Sequence, residues 1–203
     1  TLDALEQGRV VYVTGDINVT LDGFQITGGD AIGQSGSPWS GEDAGGGVYI
    51  ITATVTLRKN YVSDNVATGG GGGIYLHNSP STLSNNTLTL NRSGWGGGVY
   101  LDTSAATLRK NTVTNNQVMD SGGGVYLYDS NATIANNKVT SNTAQMMGGG
   151  LNVLGVNPTV SGNVVRYNNA GYGGGAGVNR SGGQWTNNVV ADNHASGEGS
   201  GLY

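Results

Sequence analysis

The side chains able to do acid–base or metal chemistry are few in this chain. Its 203 residues include 13 carboxylates, two histidines and no cysteine. A glycosidase needs two carboxylates about 5–10 Å apart across the scissile bond. A polysaccharide lyase needs carboxylates around a metal and a basic group to take a proton. The acids available in the regular part of the chain are Asp64, Asp102, Asp120, Asp129, Asp192 and Glu198. Of these, Asp64 and Asp192 hold equivalent places in the repeat described below, but roughly 24 Å apart at the strand spacing of a stacked sheet. His77 and His194 fall in different turns, and neither is expected to have a carboxylate neighbour in its column. Arg58 with Arg109, and Lys59 with Lys110, read as solvated basic spots. The Gly-Gly-x-Gly-x-Asp nonapeptide that binds calcium in other β-rolls is absent. These residues predict no catalytic centre, no metal and no cofactor.

What would position any site is a repeat. Three consecutive glycines followed by an apolar residue begin at Gly45, Gly71, Gly96, Gly122, Gly148 and Gly173. The apolar residues Val48, Ile74, Val99, Val125, Leu151, Ala176 and Leu202 follow one another at intervals of 25 or 26. Each unit holds three short strand-like pieces separated by Asn, Asp, Gly and Ser. They leave no room for a crossover helix. Such units stack as a right-handed parallel β-helix of three strands per coil, with roughly seven to eight coils and a rise of about 4.8 Å each. The chain is expected to be one domain over residues 1–203. Residues 1–31 form a divergent first coil, 32–43 a loop insertion, and 44–203 regular coils with an open end at Tyr203. The open strand edge there predicts either a segment of a longer chain or end-to-end stacking.

Alternation with period two separates inside from outside. Val48 and Ile50, Leu57, and Val62, with their counterparts in each coil, are expected to fill the core. Tyr49, Tyr75, Tyr100 and Tyr126 point outward as a file, which would serve as an aromatic carbohydrate platform or as ordinary sheet stacking. Asn60, Asn86, Asn111, Asn137, Asn163 and Asn188 form one asparagine ladder, and Asn65, Asn91, Asn116, Asn142, Asn168 and Asn193 a second. Both are expected to hold the coil shape. Threonine files on two faces are too irregular for an ice-binding array. Large apolar residues recur in the turn before the glycines, at Trp95, Met119, Met146, Met147 and Tyr172. Together with Trp39 in the insertion, they predict an interaction surface.

The motif Val62-x-x-Asn65-x-Ala67, followed by Gly-Gly-Gly-Ile74-Tyr75, is similar to the repeats of polymorphic outer-membrane proteins and of secreted bacterial right-handed β-helix proteins. Val165-x-x-Asn168-x-Ala170 and Val190-x-x-Asn193-x-Ala195 repeat it. The resemblance implies an extracellular or cell-surface setting and leaves the role open. It includes passenger domains, adhesins and carbohydrate-active enzymes.

Composition narrows the partners. Charged residues make up 11% of the chain and the net charge is −4, with no basic patch to hold nucleic acid. No apolar run is long enough to span a membrane. The expectation is a non-enzymatic extracellular structural or interaction protein. Its partners would be copies of itself, other cell-surface proteins, or glycans. A carbohydrate-binding or polysaccharide-cleaving domain is the alternative. Asn18, Asn85, Asn91, Asn131 and Asn179 sit in sequons that turn asparagines beside threonine or serine produce by chance.

Overall fold

The computed structural model describes residues 1–34 and 43–203 and shows about seven turns of a parallel β-solenoid. Trp39 lies outside the described residues. The first face is a seven-stranded sheet running from Val11–Thr14 through Val48–Ile51 to Ala176–Asn179. The second is also seven-stranded, from Asn18–Asp22 to Gln184–Thr186. The third has eight strands, from Leu2–Asp3 to Val189–Ala191. Every pairing joins a strand to its counterpart one coil away, in parallel and in register, as in Val48↔Ile74 and Val99↔Ile74. The divergent first coil obeys the same register, Val11 facing Val48 and Ile26 facing Val62.

A fourth ladder, of two-residue strands, was not anticipated from the sequence. Arg92–Ser93, Gln117–Val118, Thr143–Ala144, Asn169–Ala170 and His194–Ala195 pair along it. Its inward residues are small because the strand lies directly against the glycine run. At Gly123 a Cβ would stand 2.7 Å from the Thr143 carbonyl oxygen, so only glycine lets the two backbones meet. The preceding Gly122 turns the chain with φ of 72°.

The single core runs the length of the coil. Ile50, Leu57, Val62, Leu76, Leu88, Leu101 and Leu127 are among its fully buried members. In the last coil Trp185 and Val190 are only partly covered.

The remaining corners share one construction. A residue in the left-handed region is followed by a small polar side chain aimed inward. Lys59, Asn85, Lys110, Asn136 and Asn187 precede the first asparagine ladder with φ between 54° and 56°. Asp64, Leu90, Asn115, Ser141, Tyr167 and Asp192 precede the second. The ladder asparagines themselves therefore do not take the unusual backbone; the residue before each does. Within the ladder every amide atom is engaged. The Asn116 carbonyl oxygen accepts from both the backbone and side-chain nitrogens of Asn91, each at 3.0 Å. Its NH2 group donates to the Leu88 carbonyl at 3.1 Å and to Asn142 Oδ1 at 3.0 Å. In the first coil Phe24 and Gly29 lack the amide but still donate their backbone N–H groups to Asn60 and Asn65. The corner after the first face carries a serine version: Ser79 N–H donates to Ser104 Oγ, and Ser104 N–H to Ser130 Oγ.

Two consequences are measurable by thermal unfolding. Replacing Asn116 by Ala orphans buried donors and acceptors in the two flanking coils, each at about 1–3 kcal/mol. The midpoint should fall by well over 5 °C at roughly 2–4 °C per kcal/mol for a chain of this size. Leu90 is an exposed leucine at φ 59°. Leu90→Asn should relieve about 1 kcal/mol of left-handed strain and raise the midpoint; an unchanged or lower midpoint would count against the corner rule.

Candidate functional site

Among the regular coils, length varies at one edge; the first coil alone also gains a residue after its first face, where Thr14 to Asn18 matches Ile51 to Thr54. The fourth ladder is followed by a loop that leads to the left-handed glycine. Ala67 to Gly71, Val118 to Gly122 and Ala144 to Gly148 are four residues apart, whereas Ser93 to Gly96 and Ala170 to Gly173 are three apart. This difference accounts for the 25- and 26-residue intervals. The insertion falls at the same place, between Ala31 and Gly45. Solenoids tolerate length changes on the side that the stacked sheets do not constrain, and that side is often the binding face.

The same edge holds the apolar residues of the sequence-predicted surface, three of them in one column. Trp95, Met147 and Tyr172 each precede the left-handed glycine of their coil; Met147 and Tyr172 pair backbone to backbone, and Trp95 pairs with Gly70. Trp95 and Met147 are half-buried, and Tyr172 packs against Tyr203 with ring centroids 5.2 Å apart. Met119 and Met146 stand further out, 76% and 54% exposed.

Beside them lies a groove of about 420 Å³ that runs along the axis from the first coil to the fifth. Ile32, Val66, Ala67, Val118 and Met119 give it apolar lining; Thr68, Ser93, Gln117, Gln145 and Arg92 give it polar groups. Its outward column places Asp30, Val66, Arg92 and Gln117 one above another. The groove was missed from the sequence because it depends on the fourth ladder. The alanine recurring at Ala67, Ala144 and Ala170 was the available signal.

The tyrosine file is not the outward-facing surface expected from the alternation. Its side chains do leave the core, but Tyr49, Tyr75 and Tyr126 are buried and Tyr100 is half-buried. The edge loops fold back over them, so that a Cβ on Gly70 would fall inside the Tyr100 ring. Tyr12, Tyr49 and Tyr75 stack at 5.1 and 5.5 Å, and the Arg9 guanidinium sits 4.4 Å over Tyr49. An exposed carbohydrate platform is therefore not formed by these rings.

His77 also differs from expectation, because it has a carboxylate in its column. Asp102 pairs with it across neighbouring coils. The buried Asp102 carboxylate accepts from the Tyr75 hydroxyl at 2.8 Å, and His77 Nδ1 lies 3.0 Å from the same oxygen. Its other oxygen accepts from Thr103 at 3.0 Å. A carboxylate–imidazole pair can orient a general base. Here the bonding pattern puts the imidazole proton on Nδ1, and Nε2 faces the Asn78 amide at 2.9 Å. The group that would accept a proton is thus engaged within its own corner. Arg58 is likewise not simply solvated, since it pairs with Asp22 at 3.0 Å.

Burial, then the nearby Asp102 carboxylate, pushes the Tyr75 phenol well above its usual range, and burial does the same for Tyr126. Above about pH 10 the unfolded tyrosines ionise while the folded ones stay protonated, so each removes up to about 1.4 kcal/mol of stability per pH unit. Stability should be flat below about pH 9 in these two groups and fall above it. Tyr75→Phe should make the alkaline limb shallower in a pH series of denaturant unfolding; an unchanged limb would contradict the burial effect.

Among known proteins, neither the curated proteins nor the solved structures gave a match. A family model for the right handed beta helix region does match, over residues 7–165. That family includes enzymes and non-enzymatic proteins alike. With most of the chain covered by the match and the parallel coil laid out above, the protein belongs to the right handed beta helix family.

Proposed function

We propose that this β-helix is a non-enzymatic extracellular structural or interaction protein, whose working surface is the edge of variable loops. The observation that carries the reading is the coincidence there of three things: the length variation of the regular coils, the exposed Met119, Met146 and Tyr172, and the axial groove. Elsewhere the regular residues are absorbed by the coil itself. Large exposed apolar side chains in consecutive coils favour burial against a partner, and methionine adapts to irregular surfaces. Copies of the chain or other cell-surface proteins are the partners this edge suits.

Sedimentation velocity on wild type and on Met146→Asp/Tyr172→Asp tests self-association. The expected result is a wild type that sediments faster as concentration rises, and a variant that stays monomeric. A wild-type rod that is monodisperse throughout contradicts self-association. Selective binding to defined sugars on a glycan array would favour the carbohydrate reading over this one.

A further inference from the structure

We infer that the edge groove is a binding site for a small amphipathic anion, a free medium-chain fatty carboxylate. The inference is independent of whether the edge also assembles. Three observations lead to it. The accessible apolar walls are Ile32, Val66 and Met119, over a floor closed by the buried Val118; they are aliphatic or thioether and offer no ring for a sugar to stack on. A groove of about 420 Å³ lies within the range of small-ligand sites. It crosses five coils, which makes it roughly 19 Å long at the sheet spacing, a shape that suits an extended chain rather than a compact molecule.

The charge pattern selects the head group. Among the described residues lining the groove, Arg92 is the single charged side chain, in a protein whose net charge is −4. Arg92 is exposed and forms no ion pair with the described residues. Asp30 stands in its column, but two coils away and with one carboxylate oxygen accepting from the Ile32 backbone N–H at 2.8 Å. Guanidinium binds carboxylate through paired, charge-assisted hydrogen bonds. The neighbouring Gln117 side chain, outward in the next coil, adds a neutral donor. An alkyl chain would run from Arg92 over Val66 toward Ile32 with its carboxylate at Arg92, and the thioether of Met119, in the coil on the other side of Arg92, would close over the head-group end.

Isothermal titration with dodecanoate below its micelle concentration tests this, with dodecyltrimethylammonium as the cationic match. Saturable binding of dodecanoate, at least tenfold tighter than the cation, is expected. Arg92→Gln should weaken it about tenfold or more, the loss of one charge-assisted bond. Met119→Asp, at a position too exposed to be needed for folding, should weaken it similarly while leaving the thermal midpoint unchanged. Equal binding of the two amphiphiles, or unchanged binding in both variants, overturns the site. So does co-flotation with phosphatidylcholine–phosphatidylglycerol vesicles without binding of free dodecanoate, which would mark a membrane contact instead.

Discussion

A primary amide has two donors and two acceptor lone pairs, and burying it unpaired is costly. In this protein each interior asparagine satisfies all four along the solenoid axis. It accepts from the coil before it and donates both to the coil after it and to a carbonyl of the coil before. The side chain reaches those partners only if the preceding residue turns the chain left-handed, and only if the next coil repeats the same corner in register. The ladder therefore imposes a fixed corner on every coil. The faces between corners then become short strands of constant length, their alternation fixes which residues enter the core, and the coil-to-coil spacing becomes that of a parallel sheet.

Two of the four corners are locked in this way by asparagine, and a third is tied by serine in three successive coils, Ser79, Ser104 and Ser130. The fourth is made by glycine, and its backbone contact with the fourth ladder replaces a side-chain lock. No amide ties the loop leading into that corner, so this is where residues can be gained or lost without disturbing the stack. It is physically reasonable that exposed methionines, a groove and the one long insertion all fall there. Freedom from the stacking constraint is what makes an edge available for function.

The repeat, the three principal faces and the inward columns were legible in the sequence because period-two alternation and a constant interval report directly on a stacked sheet. The fourth ladder was not, since two-residue strands carry too little alternation to register; only the recurring alanine of Ala67, Ala144 and Ala170 hinted at it. The tyrosines were placed on the correct side of the strand but judged exposed, because alternation says nothing about a loop that folds back. The Tyr75–Asp102–His77 cluster was overlooked for a similar reason. Asp102 is 25 residues from His77 and 27 from Tyr75, and only its register against His77 brings it to them. The groove needs both the fourth ladder and the short loop at Gly94, neither of which the sequence displays openly.

Locked corners contrast with one free edge, and insertion of a single residue tests that contrast most directly. One serine placed between Gly94 and Trp95 lengthens a three-residue loop to the four-residue form its neighbours already have. One serine placed between Asn115 and Asn116 breaks a corner. Thermal unfolding of the two variants should show a midpoint close to wild type for the first and a loss of cooperative folding or a large drop for the second. Equal destabilisation by both insertions would contradict the claim that the amide ladders, rather than the coil as a whole, set the length of the repeat.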